Sequence, residues 1–380
     1  MLLKLKISDS TIDVGSRYSL EQSMPLDGVR KKIDALDNEL IRLFSERALV
    51  AKEVGEIKKR EGLAIFVPER EEALLNKLTE KSEASGSILP SGSLRAIYRE
   101  ILSVSRALQH DEKIAVLGPE GTWTHQAAIK KFGHAAEYIA QASFSEVFDL
   151  VVRGKADFGV LPIENSFNGA VFDTLDLFVD SPLKICGQIL QRIEHSIMSK
   201  GKRESIEKIY SHPQALGQCK KWLEQEFPNT LQVPVASTSL AAKMAQEDES
   251  VAAIATPLAA ELYELNILEH AIQDSATNTT RFLILGVDDR EPTGDDRTSI
   301  LFAIHDKPGA LFSALGAFEE CSVNLSKIES RPSKQKEWEY IFYIDIAGHQ
   351  RDEKVSKAIE KLEQHCSMTK ILGSYPDSVI

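Results

Sequence analysis

Residues 26–59 read LDGVRKKIDALDNELIRLFSERALVAKEVGEIKK, a stretch without proline in which apolar residues return every third or fourth position: Leu26, Val29, Ile33, Leu36, Leu40, Leu43, Val50, Val54 and Ile57. That period puts them on one side of an α-helix. Arg47 interrupts the stripe. Lys58 follows three turns later, within about 20° of the same side, so two cations are aimed where apolar core belongs. A lone arginine there can lay its stem along apolar neighbours and keep its head in water. Two cations on one stripe favour an anion that meets them.

The helix is roughly 50 Å long at 1.5 Å per residue, more than a small domain covers by itself, so partner helices are expected. Pro68 suits the first turn of a second helix, Glu69 to about Lys81, and a third runs from about Ser93 to His110 with Ser105 and Gln109 one turn apart. Arg30, Arg47, Lys58, Arg70, Glu71, Ser105 and Gln109 then line a pocket rich in cations and nearly free of histidine and cysteine. Such a pocket suits a small di-anion.

On these residues the segment 24–110 resembles the all-helical chorismate mutase family: Arg30 near the start of the long helix, Glu46-Arg47 in its middle, Lys58 after Val54-Gly55, Arg70-Glu71 opening the second helix, and Ser105 with Gln109 closing the third. The resemblance implies an interlocked homodimer. Arg30 lies about 25 Å along the helix from Arg47, too far to share one ligand, which fits the family's arrangement of lending that arginine to the partner's site. It also implies roles: Arg30 and Arg47 clamp the two carboxylates of chorismate, Lys58 and Gln109 donate to the breaking ether oxygen, and Glu71 holds the hydroxyl. This pericyclic rearrangement to prephenate needs positioning and charge stabilisation and no nucleophile. Val67 stands where some relatives have aspartate, which removes one polar contact.

The chain has 380 residues, 43% hydrophobic and 27% charged, with a formal net charge of −12. Its length predicts two or three domains, and its acidity argues against a nucleic-acid surface. No apolar run approaches the roughly 20 residues of a membrane span, and residues 1–23 lack a signal-peptide pattern, so a cytoplasmic protein is expected. Cys186, Cys219, Cys321 and Cys366 are scattered without paired spacing, as free thiols would be, not a zinc site or disulfide framework. Residues 81–93 read as an interhelical loop and 288–296 as a linker.

From 111 to 288 strands alternate with helices, which predicts a mostly parallel sheet with helices on its faces. Four polar junctions stand out: Gly118-Pro119-Glu120-Gly121-Thr122, Pro162-Ile163-Glu164-Asn165-Ser166, His212-Pro213-Gln214-Ala215 and Asn278-Thr279-Thr280-Arg281-Phe282. Each alone is compatible with caps and turns. Together and in this order they resemble the prephenate dehydratase family, whose catalytic signature is Thr-Arg-Phe. The resemblance implies two α/β lobes, like periplasmic binding proteins, with the site in the cleft between them. Thr280 is then the catalytic donor; Thr122, Glu164, Asn165, Ser166 and Gln214 bind prephenate, with Arg281 and Phe282 supporting Thr280. His212, followed by proline in a turn, reads as structural.

The last segment, 297–380, shows a βαββαβ order, a ferredoxin-like α+β unit. Asp306-Lys307-Pro308-Gly309-Ala310-Leu311, Asn324-Leu325 and Glu329-Ser330-Arg331-Pro332 resemble the ACT regulatory domain, which implies L-phenylalanine bound at a subunit interface by Gly309, Ala310, Leu311, Asn324, Leu325 and Glu329 to Pro332. Read as a separate unit, it is expected to be removable with appreciable dehydratase activity left. The combined expectation is an enzyme that takes chorismate through prephenate to phenylpyruvate, under feedback by phenylalanine, with no cofactor and no metal. The runners-up are a ligand sensor with an inactive cleft, or an enzyme in which one activity has decayed.

Overall fold

The computed structural model describes residues 4–7, 10–13, 26–63, 65–304, 307–332 and 340–377. Residues 24, 25, 64, 305, 306, 333–339 and 378–380, included in the sequence-based segments, lie outside them. After a short antiparallel strand pair, Lys4–Ile7 with Ser10–Asp13, come three helices: α1 Leu26–Glu61, α2 Pro68–Ala84 and α3 Ser91–Ala107. Lengths explain their packing. At 1.5 Å per residue the 17-residue α2 and α3 span about 25 Å, half of α1. Of α1 only Gly55 is buried, and Leu26, Val29, Ile33, Leu36, Leu40, Leu43 and Val50 are exposed. The first half of the stripe is therefore left open among the described residues; α1 meets α3 at Arg47, which donates to Ser105.

Two sheets follow. The first lobe has strand order 137–141, 113–117, 158–165, 279–286, 184–192, with 279–286 antiparallel to both neighbours. The second has the order 231–234, 208–211, 251–255, 196–199, 266–269, its Val251–Ala255 strand wholly buried, as a sheet covered on both faces requires. The chain crosses between lobes twice, outward through 193–195 and back through 270–278.

The C-terminal sheet has the order 325–332, 340–347, 296–304, 366–376, with helices Ala310–Glu320 and Glu353–His365 on one face. Its other face lies on the first lobe. Leu301, Tyr343, Leu372 and Tyr375 share one core with Leu161, Ile163, Ile185, Leu283 and Leu285, and Lys370 Nζ donates to the carbonyls of Phe178, Val179 and Ser181 at 2.8, 3.0 and 2.6 Å. The unit is distinct in topology but not in packing: cutting it away would strip apolar cover from the dehydratase lobe. Residues 288–296 are likewise no free linker. Arg290 is buried, donating to the Phe66 carbonyl at 3.3 Å with its guanidinium 5.5 Å from the Phe158 ring. Phe66, from the α1–α2 connection, is seated beside Phe132 and Phe158 in the first lobe.

Candidate functional site

The cleft between the lobes encloses about 400 Å³, with Thr122, Asn165, His195, Gln214, Asn278 and Thr280 among its walls. Strand 158–165 delivers Asn165 and strand 279–286 delivers Thr280 as directly paired residues. The Asn165 carbonyl oxygen accepts from the backbone N–H groups of Phe167 and Asn168 at 3.1 and 3.2 Å, which fixes the amide's orientation. Its NH₂ group therefore points inward, donating to Thr280 Oγ1 at 2.8 Å and to Asn278 Oδ1 at 2.9 Å. Thr280 thus accepts from Asn165, and its own proton is left for something in the cleft. Asn278 Nδ2 is a second buried donor without a partner.

His195, in the outward crossing, carries no motif and was not singled out by sequence. It is 3% exposed. Its Nε2 meets Gln218 Oε1 at 2.8 Å, so Nε2 holds the proton and the unpartnered Nδ1 is a lone pair. Burial pushes its pKa down, outweighing the Gln218 hydrogen bond, and the ring is neutral. Helices Trp123–Phe132 and Thr238–Glu247 begin at the cleft, capped by Thr122 and Ser237, and each aims its positive end there. The second of these was also not singled out.

Several expected substrate ligands are placed elsewhere or already engaged. Glu164, one residue from Asn165 on a strand, faces the other way and lies 2.6 Å from Lys327 of the C-terminal sheet. Arg281, next to Thr280, also turns its back on the cleft: it donates to Gln188, Asp345 and Tyr375 at 2.7, 2.5 and 2.7 Å. Burial opposes its charge, and the oxygens of Tyr375, Asp345 and Tyr343 outweigh that, holding it firmly protonated. Strand alternation accounts for both placements. Ser166 sits at the rim, accepting from Thr279 N at 3.0 Å and directed at Thr277 O at 3.3 Å. Thr122 lines the cleft, but its hydroxyl donates to Leu117 O at 2.9 Å and accepts from His125 N at 3.3 Å. His212 accepts from Gln214 N at 3.3 Å and caps a short helix, while Phe282 is 1% exposed at the cleft floor.

In the helical unit Arg47 donates to Ser105 Oγ. Lys58 Nζ donates to Ile65 O at 2.7 Å, and burial together with the Arg70 charge lowers its pKa. Gln109 Nε2 donates to Ser105 O at 2.9 Å, leaving its Oε1 buried and unpartnered. Gly55 makes room for it: a Cβ there would lie 2.7 Å from Gln109 Cγ. Glu71 is held by Arg106, whose Nη1 reaches both carboxylate oxygens at 2.6 and 2.7 Å. Arg106 also donates to Glu112 at 3.0 Å and to the Phe132 carbonyl of the dehydratase lobe at 2.5 Å; sequence reasoning did not pick it. Arg30 does not join these residues. Its side chain is 65% exposed beside Asp27, and Arg70 is also exposed.

On the C-terminal unit Gly309 holds a left-handed φ of 79° ahead of helix Ala310–Glu320, and nothing lies near its Cβ direction. The edge strand alternates. Leu325 and Lys327 through Arg331 at odd positions are partly buried, with Arg331 paired to Asp176 and stacked 4.9 Å from the Phe172 ring. Asn324, Ser330 and Pro332 are exposed, Ala310 is buried and Leu311 packs against the unit's own core. The expected effector residues therefore divide between a solvent side and a side facing the catalytic lobe, where Glu329 and Arg331 line a cavity of about 110 Å³.

Among the described residues no cluster of histidine, cysteine, aspartate or glutamate could hold a metal ion, and no helix is long and apolar enough to cross a membrane. Comparison with known proteins assigns all three units. The chorismate mutase type II family matches residues 29–110, prephenate dehydratase 114–290 and the ACT domain 298–364. A bifunctional chorismate mutase/prephenate dehydratase of Aquifex aeolicus is 45% identical over 93% of this chain and 99% of its own. A solved prephenate dehydratase of Arthrobacter aurescens in complex with L-Phe superposes with TM-score 0.65 at 35% identity, covering 70% of this chain and 90% of that one. GqqA, described as a novel type of quorum quenching acylase, gives TM-score 0.66 at 29% identity over 70% of this chain and 98% of that one. With near-complete coverage at that identity and every unit matched in order, the chain belongs to the bifunctional chorismate mutase/prephenate dehydratases, an isomerase and a lyase in one polypeptide.

Proposed function

We propose that Thr280 assists departure of the ring hydroxyl of prephenate, and that the observation carrying this is the Asn165 amide donating to Thr280 Oγ1. A hydroxyl that already accepts is oriented to donate outward. As the ring carboxylate leaves as CO₂, its bonding electron pair enters the ring and expels hydroxide. A hydrogen bond from Thr280, seconded by Asn278 Nδ2, stabilises the charge on that oxygen. The positive ends of helices Trp123–Phe132 and Thr238–Glu247 receive carboxylates, and Gln214 flanks them.

In the helical unit Arg47, Lys58, Arg70, Glu71, Ser105 and Gln109 receive chorismate, with Arg30 supplied by a second copy. The bare half of the α1 stripe supports that homodimer, since an apolar face of this length in water needs a cover. L-phenylalanine, the molecule bound in the Arthrobacter relative, is the feedback effector, and the ACT unit its site. Four free cysteines suit a reducing, cytoplasmic setting.

The test is Thr280→Val, which keeps shape and removes the donor. Dehydratase kcat is expected to fall by about 10²–10³ with little change in KM and an unchanged mutase rate on chorismate. Retained turnover with weakened binding refutes the assignment.

A further inference from the structure

Thr280 and Asn165 form one rung of the ladder between strands 279–286 and 158–165, and Arg281 and Glu164 form the next. The first rung faces the cleft and carries the hydrogen bond that orients the donor. The second faces the C-terminal sheet, and both its members end on charges of that sheet. Arg281 meets Asp345, whose side chain is fully buried and is held in turn by Ser299 Oγ at 2.5 Å and Arg297 at 3.4 Å. Glu164 meets Lys327, itself 7% exposed, as an ion pair rather than an aligned hydrogen bond. A strand cannot move one face without the other. Anything that shifts the back rung turns the front rung with it.

We propose that Asp345 and Lys327 are positioning residues of the dehydratase: from the C-terminal unit they fix Arg281 and Glu164, and so set the Thr280–Asn165 geometry on the opposite face of the same two strands. Neither touches substrate. Removing the Asp345 charge leaves Arg281 with neutral partners, Gln188 and Tyr375, beside the like charge of Arg297, a buried arrangement that relaxes only by moving the arginine. Effector binding at the same unit has this route to the cleft, because edge strand 325–332 contributes Lys327 while Arg331 on it grips Asp176. The proposal rests on the reading of Thr280 as donor.

The experiment uses the full chain and measures dehydratase kcat and KM on prephenate, with mutase turnover on chorismate as control, for the parent, Asp345→Asn, Lys327→Met and Thr280→Val. Asp345→Asn is expected to lower kcat tenfold or more with KM within threefold and mutase turnover within twofold; Lys327→Met follows the same pattern at threefold or more. Both variants holding kcat within twofold, or raising KM alone, overturn the proposal. Should Asp345→Asn lose mutase turnover too, Lys327→Met decides by the same criteria. A fully active Thr280→Val instead overturns the donor reading, whereas an inactive Thr280→Val beside unaffected Asp345→Asn and Lys327→Met removes only the positioning role.

Discussion

Replacing Arg106 by methionine removes the cation that Glu71 and Glu112 share. The guanidinium is 4% exposed, Glu112 is 4% and Glu71 20%, so two carboxylates are left facing each other in poor solvent. Losing one partner of a buried pair costs about 3–5 kcal/mol, and the partial exposure of Glu71 puts the expectation toward the lower end. For a unit of 150–250 residues, where 1 kcal/mol moves the midpoint by about 2–4 °C, the melting transition drops by roughly 6–20 °C. The loss depends on pH in a definite sense. Burial already pushes the Glu112 pKa above 4.5, with Arg106 pulling it back; without the arginine it rises further. A carboxyl whose folded pKa exceeds its unfolded one destabilises above the unfolded value and is relieved as pH falls through the folded one. The gap between parent and variant is therefore widest at neutral and alkaline pH. Calorimetry at pH 8 and pH 5.5, with mutase kcat/KM measured alongside, reads both effects. Adding Glu112→Gln to Arg106→Met should recover part of the loss. A shift under 2 °C at pH 8, or a gap that widens on acidification, refutes this account.

Three further expectations follow from single positions. Lys58 is a cationic donor only while protonated and its pKa is held below the ordinary lysine value, so mutase kcat/KM falls on the alkaline side before an ordinary lysine would titrate; bound di-anion raises the pKa, placing the kcat limb at higher pH, and a rate profile from pH 7 to 11 that shows neither rules this out. Val67 occupies the N-cap of α2 without a capping side chain, so Val67→Asp is expected to add about 1 kcal/mol, seen as a higher melting midpoint; no gain means the position does not act as a cap. Gly309 at φ 79° disfavours a β-branched residue, and Gly309→Val should raise the phenylalanine concentration for half-inhibition at least tenfold in a dehydratase titration. An unmoved curve places the effector elsewhere.

The long helix, the α/β alternation and the βαββαβ order were legible because each rests on a local period, but the expected mostly parallel sheet is mixed in both lobes, with 279–286 and 196–199 antiparallel to both neighbours, a pairing that no local period encodes. Site membership was less so. Pro-Ile-Glu-Asn-Ser and Thr-Arg-Phe read as contiguous blocks, yet a strand sends Glu164 away from Asn165 and Arg281 away from Thr280, so half of each block serves another surface. Arg106 adjoins Ser105, but a helix turns neighbours by about 100°, and of its partners Glu71 and Phe132 lie on distant segments while Glu112 follows just past the helix end. His195 lies in a crossing three residues long, 193–195, where no period operates. Asp345 did leave a signal: a carboxylate inside the buried run of strand Tyr340–Ala347 demands a cation, although sequence could not say which.

The shared core has a bearing on how the chain is made. Strand Lys184–Arg192 of the first lobe awaits Leu372 and Tyr375, which are synthesised much later. At about 5–20 residues per second the roughly 180 intervening residues take roughly 10–40 s. Through that interval the lobe that carries Thr280 is incomplete and its apolar face is open to solvent, whereas the three helices and the second lobe, closed by contacts nearer in sequence, can consolidate first. Vectorial synthesis thus makes the first lobe late to mature, and in need of protection from aggregation while it waits.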